Sequence, residues 1–361
     1  MTRATVIGAG IFGVTAAIEL AERGLDVTLV DRGPIPHPLA ESTDISKVVR
    51  IDYGSDELYT ELGERALVGW RRWNTSWPRP LFHETGVTFL SATPMTAGGF
   101  EHDSYTLLRG RGHALERLDA DAIARRFPAY RPGFLVDGYY NPVGGWAESG
   151  AVVARLVDVA RAAGVRVELR DVGRIPDDHL VVACTGAWAR ELVPDAIRAT
   201  GQPVFHLRPA DPSLFEAARF PVFGADISRT GYYGFPLHDG VVKIANHGIG
   251  VAMEPADPRE VTAAHEASLR AFVADAFPAL AAAPIVARRL CVYGDSSDGN
   301  LLIARHPERD NVIVATGGSG HAFKLAPILG AIIAEVALGH EHPRFRWRTS
   351  PTTSGDAARR R

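Results

Sequence analysis

Three observations predict a mixed α/β chain, α+β overall. An apolar strand at residues 4–7 runs into Gly8-Ala-Gly10-Ile-Phe-Gly13 and an apolar-periodic helix. The middle of the chain gives up strand–helix alternation for strand-and-turn patterns over about 81–144 and 203–250. A second strand–glycine–helix unit, residues 311–338, closes the chain around Thr316-Gly-Gly-Ser-Gly320. Similar units at both ends with β-rich segments between them imply two discontinuous domains. The expected segments are 1–80, 145–202 and 285–340 for a nucleotide-binding domain, and 81–144 and 203–284 for a β-rich substrate domain. Residues 351–361, ending in three arginines, read as a disordered tail.

The first unit is the most legible. After the strand, the helix shows its apolar face through Ala16, Ala17, Leu20 and Ala21, Gly24 closes it, and a second strand at 27–30 ends in Asp31. The glycines Gly8, Gly10 and Gly13 serve a tight turn, close approach to a pyrophosphate, and close helix–strand packing. The helix N-terminus offers free N–H groups and the positive end of its dipole to the phosphates. Asp31 follows Gly13 by 18 residues, where an acid accepts hydrogen bonds from a ribose. This is a Rossmann-type unit, and by itself it fits FAD and NAD equally.

The following elements favour the flavin. A nicotinamide dehydrogenase would continue in βα units, whereas here a Pro-rich stretch (33–38) leads to Lys47–Tyr53 and a helix over 56–73. Strands at 86–90 and 138–142 come next, then a helix at 151–163, strands at 165–169 and 180–183, and Thr185-Gly-Ala-Trp188. The second β-rich stretch holds Tyr232-Tyr-Gly-Phe-Pro236 and a strand at 241–245, and a helix over 258–276 precedes Pro278 and Pro284. The terminal glycine turn, with Gly318 and Gly320, points a second helix start at a ligand. One large cofactor touched from both ends of the chain satisfies this pattern.

Composition narrows the function classes. A net charge of −3 over 361 residues leaves no basic surface for nucleic acid or anionic lipid. The longest apolar helix candidate, 328–338, is well short of the ~20 residues a bilayer requires. Two cysteines and no secretory leader fit a reducing, cytoplasmic setting. Neither the 13 histidines nor the cysteines show metal-ligand spacing. Among 39 basic residues only Lys47, Lys243 and Lys324 are lysine, and each falls in a segment that looks built for a site. An ammonium is compact and shifts its pKa readily when buried, which a guanidinium does not.

A family resemblance follows from an ordered set of fragments. These are Gly8–Gly13, Lys47-Val-Val-Arg50 with Tyr53-Gly54, Thr85-Gly-Val87, Gly186-Ala-Trp188, and Tyr232–Pro236 with Lys243 and His247. Cys291 with Asp298-Gly, His306-Pro307 and Gly318–Lys324 complete it. On these residues the chain resembles FAD-dependent amine oxidases of the D-amino acid oxidase superfamily, including sarcosine, N-methyltryptophan and fructosyl-amino-acid oxidases. The resemblance extends to about residue 340.

It implies a monomeric enzyme that removes a hydride equivalent from the carbon beside a substrate amine, leaving an imine, with dioxygen as final acceptor and hydrogen peroxide as product. It places Lys243 where oxygen is activated, Arg50 and Lys324 on a substrate carboxylate, and Tyr233 and His247 in the substrate pocket. Cys291 would hold the flavin through a thioether, with Lys47, Gly318, Gly320 and Lys324 also at the cofactor. Cys184 reads as core. Asp44-Ile-Ser-Lys47 is similar to the fructosyl oxidases, whereas His247 is similar to the sarcosine oxidases. That mixed signature leaves a secondary, N-substituted or cyclic amino acid, a glycated amino acid, and a dehydrogenase with a non-oxygen acceptor as alternatives.

Overall fold

The computed structural model describes residues 2–177, 179–193 and 196–348; the expected tail at 351–361 lies outside them. Strand Arg3–Ile7 sits within a six-stranded sheet, flanked in parallel by Asp26–Asp31 and Leu180–Ala183. Arg166–Leu169 extends one side in parallel and Arg309–Thr316 the other, with Leu302–His306 added antiparallel at that edge. The central strands are near-continuous apolar runs, with Val6, Leu29, Val182 and Ile313 fully buried. That is the pattern of a parallel sheet covered on both faces. Helices Ile11–Glu22 and Ala326–Ala337 pack together on it, because Gly330 has no Cβ to strike the Thr15 carbonyl.

The β-rich half is a nine-stranded sheet. Its path runs Val251–Ala252, Ile197–Leu207, Val242–Asn246, Tyr232–Gly234, Val222–Ala225, Val87–Ser91, Asp137–Asn141 and Glu116–Asp119, and Ile285–Ser296 pairs along Ile197–Leu207. Helix Ala263–Ala276 covers one face with Leu269, Phe272 and Val273, against a cluster including Phe205, Phe220, Phe223 and Phe277. A three-stranded sheet of Lys47–Val49, Gly145–Ala147 and Phe82–His83 joins the two halves.

Most predicted elements stand where the pattern put them. The strand at 180–183 is Leu180–Ala183, and the helix over 56–73 is Glu57–Ser76, capped by the Asp56 carboxylate accepting the Tyr59 N–H at 3.1 Å. Three differences have physical reasons. The segment 81–144 also contains helices Phe100–Gly110 and Ala120–Arg126. The first buries Phe100, Ser104 and Leu108 at helical spacing behind a Gly98-Gly99 turn, and the second starts at an Asp119 cap. The helix expected over 258–276 begins only at Ala263, where Thr262 and His265 form a capping box. The glycine turn at 316–320 leads first into the 3₁₀ segment Ala322–Leu325, so helix Ala326–Ala337 starts farther on. Strands Ile197–Leu207 and Ile285–Ser296 share one ladder, which ties together residues assigned to different expected domains.

Candidate active site

A cleft of about 540 Å³ opens along the C-terminal end of the six-stranded sheet, lined by Gly8, Gly10, Asp31, Lys47, Gly318 and Gly320 among others. Gly8 has φ of +96°, and a Cβ there would collide with the Cys184 carbonyl. Gly13 lies behind the wall, where any side chain would strike the Gly8 carbonyl. Asp31 accepts the Ala9 N–H at 2.7 Å and the Gly33 N–H at 3.1 Å, so its carboxylate is fixed at the rim of the glycine loop. Bare backbone at a helix start, a fixed acid and a long cleft fit a dinucleotide cofactor.

The segment after Asp31 crosses the cleft and is tied down by cations from the β-rich half. Arg259 donates to the Leu39 carbonyl, and Arg289 donates to the Ala40 and Thr43 carbonyls. Lys243, 1% exposed, donates to the Ser46 carbonyl at 2.5 Å and sits 2.6 Å from the Asp44 carboxylate. Its ammonium also lies 4.6 Å from the centre of the Phe235 ring. Burial lowers the Lys243 pKa to about 8, with Lys47 adding to the effect and Asp44 opposing it. Burial acts to raise the Asp44 carboxyl, but Lys243, His206 and Lys47 outweigh it and hold the group well below the ordinary carboxylate range. The two directions pull apart, and the short contact decides for an ionised pair at neutral pH.

Lys47 stands beside this pair with Nζ 3.8 Å from the Cys291 sulfur. Burial disfavours its charge, but Cys291 and Asp44 prevail and raise its pKa. Glu41, which the sequence did not single out, lines the cleft with its carboxylate 3.5 Å from the Gly294 N–H. Enclosure raises its pKa to about 7, against the pull of Lys47 and with the push of Asp295.

A second, smaller cavity of about 70 Å³ adjoins the cleft and shares Lys47, Gly320 and Phe323 with it. Arg50, Tyr233, His247 and Lys324 all line it. The Arg50 guanidinium and the Lys324 ammonium lie 4.9 and 5.3 Å from the centre of the same Tyr53 ring. One buried guanidinium nitrogen of Arg50, Nη1, has no hydrogen-bond partner. Behind Arg50 the buried Asp52 accepts the Tyr139 hydroxyl at 2.8 Å; burial raises its pKa while Arg50 opposes. The Tyr233 and Tyr293 hydroxyls are 3.5 Å apart, and the His247 ring centre is 5.9 Å from that of Tyr293. His247 falls just past strand Val242–Asn246, and Lys243 and Cys291 are outside both cavity linings.

The predicted residues therefore divide into a dinucleotide cleft, a small cavity, and a layer holding Lys243 and Cys291. Asp52 and His321 joined the site unannounced. Asp52 had a visible signal, being an acid inside an apolar segment two residues from Arg50. His321, whose Nε2 is 2.8 Å from the Gly299 carbonyl, had only its place in the glycine turn. Among the described residues no cluster of histidine, cysteine, aspartate and glutamate could hold a metal, and no helix is long and apolar enough to cross a membrane.

The model of the FAD dependent oxidoreductase family matches residues 3–336, and the chain belongs to that family. Its cofactor is FAD, which the cleft fits. The N-methyl-L-tryptophan oxidase of Salmonella typhimurium is 30% identical over 356 residues, covering 92% of this chain and 94% of that protein. The fold is also that of the fructosyl peptide oxidase of E. terrenum, with a TM-score of 0.83 at 21% identity over 99% of this chain and 93% of the other. L-proline dehydrogenase of P. horikoshii gives 0.81 at 19% identity over 95% of each chain.

The buried pair gives a stability prediction. Asp44→Asn leaves the Lys243 charge without its counterion and should cost about 3–5 kcal/mol in urea unfolding. Because the fold depresses the Asp44 pKa, its contribution is complete above the unfolded value near 4 and fades as pH falls toward the folded value. The variant should therefore show a flatter acid limb in a stability–pH curve. A wild-type acid limb and a loss under ~1 kcal/mol, no more than an exposed pair gives, would show that the pair does not anchor the strap.

Proposed function

We propose that this enzyme oxidises a secondary or N-substituted amino acid, cyclic ones included, at the carbon bearing nitrogen. The observation that carries this reading is the convergence of Arg50 and Lys324 on one aromatic ring beside a cavity continuous with the FAD cleft. A guanidinium fork and an ammonium lining one small cavity are suited to receiving a substrate carboxylate. Relatives named N-methyl-L-tryptophan oxidase support an N-substituted amino acid. A glycated substrate and a non-oxygen acceptor are the alternatives, each with a structural neighbour: a fructosyl peptide oxidase and a proline dehydrogenase.

Bound FAD supplies the two-electron acceptor. The chain's own residues do the rest. Arg50 and Lys324 fix the carboxylate and so orient the adjacent C–H bond. His247 and Tyr233 face the same cavity, where the imidazole accepts the proton that the amine must release before oxidation and the Tyr233 hydroxyl, kept protonated by burial, orients the amine by hydrogen bonding. Lys243, with Lys47 beside it, provides preorganised positive charge for the negative charge that develops on dioxygen, giving hydrogen peroxide. Asp44 steadies that charge in place. Cys291 would hold the flavin through a thioether, and the Lys47 ammonium lies 3.8 Å from its sulfur. The six-stranded sheet holds the FAD and the nine-stranded sheet shapes the substrate pocket. We place the enzyme, as a monomer, in the cytoplasm, in keeping with two buried free cysteines.

Three measurements test these roles. Arg50→Ala should weaken amino-acid binding on the order of tenfold to 100-fold. Amines lacking a carboxylate should lose far less in anaerobic flavin reduction, and equal losses for both would remove the clamp. Lys243→Met should slow reoxidation by air by several orders of magnitude, well beyond any loss in anaerobic reduction that comes from leaving Asp44 unpaired. Wild-type reoxidation in stopped flow would withdraw Lys243 from oxygen chemistry. Acid-precipitated wild type should keep its yellow colour in the pellet while Cys291→Ser releases it; colour in the wild-type supernatant would end the covalent assignment.

A further inference from the structure

We infer that Glu41 is a contact of the flavin cofactor that enters the complex as a neutral acid, so that FAD binding takes up one proton. This holds whichever amine the enzyme oxidises. Glu41 belongs to the strap between Asp31 and strand Lys47–Val49, and it lines the dinucleotide cleft. The strap is clamped on both sides of it. Arg289 donates to the carbonyls of Ala40 and Thr43, and the Ser42 hydroxyl accepts the Ile11 N–H at 3.0 Å.

The carboxyl therefore reaches a fixed place, where strand Ile285–Ser296 meets the final glycine turn. One oxygen, Oε2, accepts the Gly294 N–H at 3.5 Å. The other, Oε1, lies against Gly318, 3.7 Å from where a Cβ would stand. The Gly320 N–H is a further donor to the same carboxyl. The Ser319 N–H donates to the Gly294 carbonyl at 3.2 Å, which holds turn and strand together around it.

A carboxyl so placed has donors for its acceptor oxygens and, when neutral, one O–H that needs an acceptor. FAD, with its carbonyls, hydroxyls and phosphates, brings acceptors to the cleft. Ionised, the same group would set a negative charge beside a cofactor that already carries a diphosphate, in a space that the cofactor dries. The ionisable groups facing Glu41 are Lys47 from strand Lys47–Val49, and Asp295 and Tyr293 from strand Ile285–Ser296. Burial raises the Glu41 pKa to about 7, while Lys47 draws it down and Asp295 pushes it up. The Lys47 ammonium is shared, standing 3.8 Å from the Cys291 sulfur and acting on Asp44 as well. FAD removes water from the carboxyl and moves its pKa further up. Affinity for FAD is therefore full below about pH 7 and falls as pH rises beyond it, because the proton must then come from solution.

The test uses FAD that can dissociate, in a Cys291→Ser background. Titration with FAD across neutral pH should show a steady affinity on the acid side and a fall of about tenfold per pH unit on the alkaline side. Adding Glu41→Gln, which keeps the shape and supplies a permanent donor, should flatten the curve at its acid-side level. Glu41→Ala should also flatten it, at about tenfold weaker affinity. Where Cys291→Ser binds no FAD, infrared spectra of the holoenzyme decide. At about pH 8, one unit above the Glu41 value, wild type minus Glu41→Gln should show the carbonyl stretch of a neutral carboxyl, shifted in D₂O. An FAD affinity that is flat or rises with pH, a slope unchanged by Glu41→Gln, or an ionised-carboxylate band in the holoenzyme overturns the inference.

Discussion

The buried contact between Lys243 and Asp44 is the constraint on which the rest of the site depends. Lys243 belongs to the nine-stranded sheet, while Asp44 belongs to the strap that leaves the dinucleotide unit and becomes strand Lys47–Val49. A 2.6 Å ion pair between them fixes the strap to the sheet. Arg289 and Arg259 secure carbonyls upstream, and the Gly150 N–H and the Ser149 hydroxyl both donate to the Asp44 carbonyl. The strap's backbone groups are thus satisfied by both halves of the molecule. An unpaired buried charge in this place would be more costly than any single hydrogen bond in the site.

Fixing the strap fixes the junction of the two cavities. Lys47 follows Ser46 directly and lines both spaces, and Arg50 stands one residue past the end of strand Lys47–Val49. The final glycine turn supplies Gly320 and Phe323 from the other end of the chain. Lys324 then reaches the Tyr53 ring, while its backbone carbonyl accepts the Trp70 indole N–H at 2.8 Å. Side chains separated by hundreds of residues meet because three sheets converge at this point. The arrangement brings Lys47, Arg50 and Lys324 to the lining of one small cavity.

The local rules made much of this visible in the sequence. Gly8–Gly13 with Asp31 could be placed because strand, turn and helix each leave a short-range signature. Arg50, Lys324, Tyr233 and His247 were identified through resemblance, and the structure brings all four to one cavity. What escaped was set by tertiary pairing. The helix Phe100–Gly110 hid among turn residues, and Ile197–Leu207 and Ile285–Ser296 form one long ladder that no local period reveals. Glu41 and Asp52 are acids whose character comes entirely from burial beside Lys47 and Arg50. The pairing of Lys243 with Asp44 was equally hidden, although both residues stood inside quoted motifs.

The rarity of lysine in an arginine-rich chain acquires a physical reason at these positions. Lys243 is 1% exposed and Lys324 5% exposed, so each cation had to fit a closed space. At Lys243 a single compact ammonium contacts a carboxylate, a carbonyl and an aromatic face at once. A guanidinium would bring extra donors into that space and leave some of them buried without partners, a larger penalty than the pairing returns. Burial also lowers the Lys243 pKa to about 8, with the Asp44 carboxylate opposing the shift. A guanidinium keeps its charge regardless. Where the opposite property is wanted, between the Phe89 and Phe100 rings and on the strap carbonyls, the chain uses Arg50, Arg259 and Arg289. The choice of cation at each position therefore follows from whether the site needs a fixed planar fork or a small charge that its neighbours can tune.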